Sequence, residues 1–280
     1  MGASEPRYKR SMMGRIVIIA ALAVWGSLFC GIPQLHAQPN DDGYRELLGK
    51  YVTAGASGIN LVDYAKWKQS KADMQRLGGY LAWLQSQKPS AMRRDQAFVF
   101  WINLYNAATL KILLDNYPVK SIRDIKSTGT GLFDFKASSG PWRTKFLTVE
   151  GQSLSLDSIE HDILRPKFKD ARVHYAINCA SIGCPNLKRT PWSAKALDAD
   201  LDAAARAYIN HPRGVGVARD GSLRVSSIYH WFKEDFGGGD EGIIAHLRKY
   251  AGPELAGKLA GKTSIGGHDY DWSLNAAGGK

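Results

Sequence analysis

Between Ile159 and Pro185 the chain gathers Glu160-His161, His174, Asn178-Cys179 and Cys184-Pro185, the side-chain types of thiol chemistry. A cysteine attacks as its thiolate, and free backbone N–H groups at the start of a turn favour that thiolate and can also hold an oxyanion. Ala180, Ser181 and Gly183 are small residues of the kind such a turn uses. The spacing is therefore read as a nucleophile, Cys179, with His161 as its base and Glu160 or Asn103 orienting the imidazole. Asn178, or the N–H of Cys179, would serve the oxyanion. Asn106, His174 and Arg165 are the candidate substrate contacts.

Three other readings use the same residues. Cys179 and Cys184, five apart, can close a disulfide and leave a non-catalytic envelope or partner-binding domain. His161, His174, Cys179 and Cys184 can be drawn as four tetrahedral zinc ligands, although their spacing matches no common zinc framework. Glu160, Asn103 and Asn106 can be satisfied buried polar groups that fix helix packing. No cofactor is expected. The chain has no phosphate-binding P-loop, G-x-S-x-G or H-E-x-x-H, and Asp235-Phe236-Gly237 stands without the other kinase motifs. Gly237 to Gly239 reads as a loop ahead of a helix.

These residues need elements to hold them. Asp95 to Asn116 carries the strongest helical pattern, apolar almost all round, with Asp95 as N-cap and Pro118 beyond its end, so it is expected at the centre of the fold. Tyr44–Val52 and Leu61–Leu84 have amphipathic spacing, and a short helix is expected near Val119–Ile125. Ser127–Gly140 reads as a loop, Phe146–Leu154 as a hairpin turning at Glu150-Gly151, and Ser155 or Asp157 as the cap of a helix ending at Arg165-Pro166. Val173–Asn178 alternates and is predicted as a strand delivering Cys179. Helices at Ser193–Asn210 and Glu241–Tyr250 flank a hairpin at Asp220-Gly221. The pattern predicts an α+β fold in a single domain, predominantly helical with a small antiparallel sheet.

Length and charge set the frame. With 280 residues, 44% hydrophobic and three cysteines, the chain can bury a real core, and it excludes a disulfide-stapled miniprotein or a disordered tail. Arg7, Lys9, Arg10 and Arg15 precede an uncharged run, Ile16–Ile32, with Ala37 at a cleavage position. Residues 1–37 are thus expected to be a secretory signal peptide, and the protein periplasmic or secreted. An uncleaved membrane anchor is the alternative, and then the only membrane contact. Residues 38–60 would be a lead-in, 61–275 the globular domain and 276–280 a tail. Without the leader, 33 Lys and Arg face 25 Asp and Glu, and much of the excess lies between Lys120 and Arg189. A small-molecule or peptide substrate, anionic in some cases, suits that charge, and the chain offers no case for nucleic acid.

Several long motifs carry a resemblance: Phe100-Trp101-Ile102-Asn103-Leu104-Tyr105-Asn106-Ala107, Tyr117 to Ile122, Leu154-Ser155-Leu156 with Ile159-Glu160-His161, Ile163 to Pro166, His174 to Cys179, Cys184-Pro185, Trp231 to Gly238 and Tyr270 to Asn275. Together they are similar to the domain of unknown function 547 family, from about Val62 to Asn275. The resemblance implies a shared fold and assigns no activity. A histidine preceding its cysteine is also similar to circularly permuted papain-like enzymes, an analogy that cannot establish function.

Overall fold

A computed structural model describes residues 39–126 and 140–278. All of them belong to one unit, Ala37–Lys280. The signal segment and most of the loop expected at Ser127–Gly140 lie outside the described residues.

The chain begins with α1 (Pro39–Tyr51), which buries Tyr44, Leu47, Leu48 and Tyr51. The stretch expected as a lead-in is therefore part of the core. β1 (Val52–Ala54) and β2 (Asn60–Val62) pair antiparallel, and α2 (Tyr64–Gln69) and α3 (Lys71–Gln85) follow where one longer helix is predicted. The break falls at Ser70, whose hydroxyl caps the second helix at the Asp73 N–H.

α4 (Arg94–Asn116) occupies the centre, burying residues on every side from Phe98 to Leu114. It starts beside Arg93, whose N–H is accepted by Gln96, so Asp95 sits inside the first turn rather than capping it. Among the described residues it is the helix long and apolar enough to cross a membrane, yet it is largely buried within the protein. Each fully buried leucine or isoleucine on it stabilises the fold by about 2 kcal/mol.

Beyond α4 comes a 3-10 turn, Ile122–Asp124, in place of the short helix. β3 (Leu147–Val149) and β4 (Gln152–Leu154) form the expected hairpin, with Glu150 and Gly151 both at positive φ in its turn. One helical turn, α5 (Leu156–Ser158), capped by Ser155, widens into a π-helix over Ile159–Phe168. It runs through Pro166 instead of stopping there, and closes at Lys169, whose N–H reaches Arg165 O.

Val173–Asn178 is not a strand: Ala171–Tyr175 is a 3-10 helix. All six residues from Val173 to Asn178 are buried, so the alternation marks no exposed face. After α6 (Leu197–Ile209), β5 (Val215–Val217) and β6 (Leu223–Ser226) make the predicted hairpin, and β7 (Gly267–Asp269) adds to β6 in parallel. Between them lie α7 (Ser227–Trp231), a 3-10 turn at Lys233–Phe236, α8 (Asp240–Tyr250) and α9 (Pro253–Leu259). The fold is α+β, mostly helical, with small sheets. The core forms two clusters, one around α4 and one around α8, and the Ala171–Tyr175 turn feeds both, Val173 to the first and Tyr175 to the second.

Candidate functional site

Polar groups converge on that seam. His174 is buried, its ring stacked on Phe232 at 4.1 Å. Its Nε2 lies 2.7 Å from Asp235 Oδ2 and its Nδ1 lies 3.9 Å from Glu160 Oε1. Asp235 accepts, so Nε2 carries the proton and Nδ1 turns a lone pair toward Glu160. Arg165 clamps Asp235 from the other side with two bonds, Nε to Oδ2 at 2.5 Å and Nη2 to Oδ1 at 3.1 Å. Tyr105, on α4, donates its hydroxyl to Glu160 Oε2 at 3.2 Å.

The π-helix explains how Glu160 and Arg165 reach one site. They are five residues apart, about one turn of a π-helix, where an α-helix would splay them around its axis. π-turns recur at functional sites.

Burial pushes the Glu160 carboxyl up to about 7, against the Tyr105 hydrogen bond and the Arg165 charge, which lower it. His174 is held below the ordinary histidine value, because burial outweighs the pull of Asp235. Burial works against the Asp235 charge too, but the bonds from His174 and Arg165 win and keep it well below the carboxylate range. Near neutrality the site thus holds one ionised carboxylate, one neutral imidazole and one carboxyl poised to gain or lose a proton.

A second half lies at the C-terminal strap. Cys179 and Cys184 are joined as a disulfide, with their Cα atoms 6.3 Å apart. The Tyr270 hydroxyl is 3.1 Å from each sulfur, and Ser181 donates to that hydroxyl at 3.0 Å. Tyr270 faces both halves: burial pushes its phenol up, and the Glu160 charge adds to that push. Its ring packs against Trp231 at 4.9 Å and Trp272 at 4.7 Å, and Trp231 is 44% exposed. Trp142 meets Trp272 edge-on at 5.7 Å. Arg123 lies over the Trp272 ring.

The residues singled out from sequence fall into three groups. Glu160, His174 and Arg165 come together as described. The amides are occupied by backbone. Asn103 bonds both the N–H and the C=O of Trp192, each at 3.0 Å. Asn106 holds Asn178 N–H and Ala176 C=O, and Asn178 spans Ala180 N–H and Pro185 C=O. The oxygen and the nitrogen of each amide both hold backbone, so the three side chains act as clamps between chain segments, and Asn103 has Trp192, not an imidazole, as its partner. His161 stands apart from Cys179: it is exposed, with Nδ1 at 2.8 Å from Arg165 Nη1 and Nε2 at 3.8 Å from Asp157. The zinc set does not assemble, and among the described residues no group of three His, Cys, Asp or Glu could hold a metal ion.

Sequence reasoning missed Asp235, Tyr105 and the aromatic group. Asp235 lies 61 residues from His174, and the tripeptide around it pointed to an unrelated motif. Trp231 and Tyr270-Asp271-Trp272 were visible only as part of the long motifs.

A family model described as protein of unknown function, DUF547, matches residues 89–209. No curated protein and no solved structure matches the chain.

Proposed function

The chain belongs to the DUF547 family, and from that premise we propose that it is an exported enzyme whose proton chemistry is carried by Glu160. The observation behind this reading is the placement of that carboxyl: buried, bonded by Tyr105, 3.9 Å from the lone pair of a neutral His174, and titrating at about 7. Carboxyls tuned in this way gather at sites of general acid–base catalysis. His174 and Asp235 act as positioning residues, and Arg165 holds Asp235 ionised. Substrate rests against Trp231, Trp272 and Tyr270, whose ring faces suit a small molecule or peptide. Arg123 favours an anionic one. The reaction class is hydrolysis or acyl/amide transfer in which Glu160 gives a proton to the leaving group or takes one from the attacking group.

The disulfide moves this reading away from Cys179 as nucleophile, because a bridged sulfur has no thiolate, and it supports an oxidising compartment such as the periplasm or exterior. It also favours a second reading, a non-catalytic envelope or partner-binding domain in which the bridge and the Glu160–His174–Asp235 chain are structural.

A panel of ester, amide and peptide substrates assayed with wild type and Glu160→Gln separates the two. The expected loss is about 100-fold or more in kcat for any substrate turned over, the usual contribution of a general acid–base group. Equal turnover by the variant, or no turnover of any substrate by a protein whose Glu160 titrates near 4.5, sinks the proposal.

A further inference from the structure

Hydrogen-bond donors surround both sulfurs of the bridge. Disulfide sulfurs are weak acceptors, whereas a thiolate is a strong one. Cys184 Sγ takes the Cys179 backbone N–H at 3.0 Å and the Tyr270 hydroxyl at 3.1 Å, and Tyr270 is in turn held by Ser181 at 3.0 Å. Cys184 is 3% exposed, while Cys179 is only partly buried. Cys179 Sγ also has the Tyr270 and Ser181 hydroxyls, at 3.1 Å and 3.3 Å, so what separates the sulfurs is burial and the backbone N–H that Cys184 takes: Cys179 is partly accessible, and Cys184 is deep.

We propose that Cys179–Cys184 is a thiol–disulfide exchange site, with Cys179 the sulfur attacked from outside and Cys184 the leaving thiolate. A dithiol reductant supplies the electrons. Its thiolate forms a bond to Cys179 Sγ as the Cys179–Cys184 bond breaks, and the electron pair leaves on Cys184. There the Cys179 N–H and the Tyr270 O–H stabilise the new charge, as backbone N–H groups do for low-pKa thiols. The reductant's second thiolate then attacks its own sulfur in the mixed disulfide and releases Cys179. The net change is two electrons: the dithiol becomes a disulfide and the bridge becomes two thiols. A lower leaving-group pKa speeds such exchange, which is the effect assigned to Tyr270.

The folded, full-length protein is exposed briefly to reduced glutathione without denaturant, quenched with N-ethylmaleimide and mapped by peptide mass spectrometry. Glutathione on Cys179 with maleimide on Cys184 is the expected pattern. In parallel, reduction by dithiothreitol is followed for wild type and Tyr270→Phe, and the variant is expected to react roughly tenfold more slowly, the loss of one hydrogen bond to a charged group. Glutathione on Cys184, or a bridge that dithiothreitol opens only at the rate of global unfolding, overturns the proposal, as does an unchanged rate in a folded Tyr270→Phe. The wild-type adduct map decides the matter even where the variant does not fold.

Discussion

Glu160 shows how one position combines a cost and a use. A carboxyl kept out of water prefers to be neutral, and here burial wins over a hydrogen bond and a nearby guanidinium. Its pKa is about 7 when folded and 4.5 otherwise, so between those values the folded chain keeps a proton that the unfolded chain has released. Stability therefore falls as pH rises through that window. The shift corresponds to about 3 kcal/mol. Glu160→Gln keeps the shape and the Tyr105 bond without the charge, so from pH 4.5 to 8 wild type is expected to lose about 3 kcal/mol relative to the variant, read as diverging urea midpoints. Parallel midpoints across the range contradict a raised carboxyl. His174 acts with the opposite sign: its folded value is depressed, so its contribution is present above 6.5 and lost as pH falls through the folded value. Glu160, His174 and the cysteine pair were legible in the sequence because their types stand out in a short segment. Asp235 was not, because its role exists only once the Lys233–Phe236 turn meets the Ala171–Tyr175 turn across the core seam.

Helix α4 was readable at the level of elements because an apolar sequence of that length has one good solution, a buried helix. Asn103 and Asn106 on it were read as site residues or as buried groups that fix packing, and both clamp the backbone of other segments. That also explains the failed strand at Val173–Asn178. A strand needs a neighbour to satisfy its N–H and C=O groups, and here the Asn106 side chain does that work at Ala176 and Asn178, so the segment can coil instead. The apolar alternation reflected burial on both sides, and no periodicity separates that from a strand. Asn106→Ala leaves the Asn178 N–H and the Ala176 C=O buried without this partner. The expected loss is about 2 to 4 kcal/mol by urea unfolding, since each unsatisfied buried group costs about 1 to 3 kcal/mol. Asn116→Ala, at the exposed end of the same helix, is the control and is expected to shift stability by no more than about 0.5 kcal/mol. Equal effects at the two positions contradict the clamp.

On the scale of the whole molecule, the strap from Tyr270 to Ala277 ties distant parts of the chain together. Gly183 N–H bonds Asp271 O and Ile182 N–H bonds Ser273 O; Leu274 N–H reaches Lys120 O and Asn275 N–H reaches Ala180 O. Val62 closes the set by donating to Asn275 O and accepting from Ala277 N–H. The Asn275 side chain accepts from the buried Tyr64 hydroxyl at 2.8 Å. The approach is tight: a Cβ at Gly183 would lie 2.9 Å from both the N and the O of Asp271, so only glycine leaves room for the strap. The same segment brings Tyr270 to the disulfide, so the force that closes the fold also completes the site. The segment matching the family model ends at 209, and neither Asp235 nor Tyr270 lies within it. A chain cut after Asp269 forfeits six backbone bonds, worth together about 6 kcal/mol at about 1 kcal/mol net each. A total stability of about 5 to 15 kcal/mol leaves little after that loss. The truncated protein is accordingly expected to show no cooperative thermal transition above about 45 °C, the lower edge of the range for mesophile domains, while a chain cut after Gly278 melts like the full length. Cooperative melting of both at the same temperature would mean that α4 and the two core clusters hold the fold without the strap, which would then serve only to carry Tyr270 to the sulfurs.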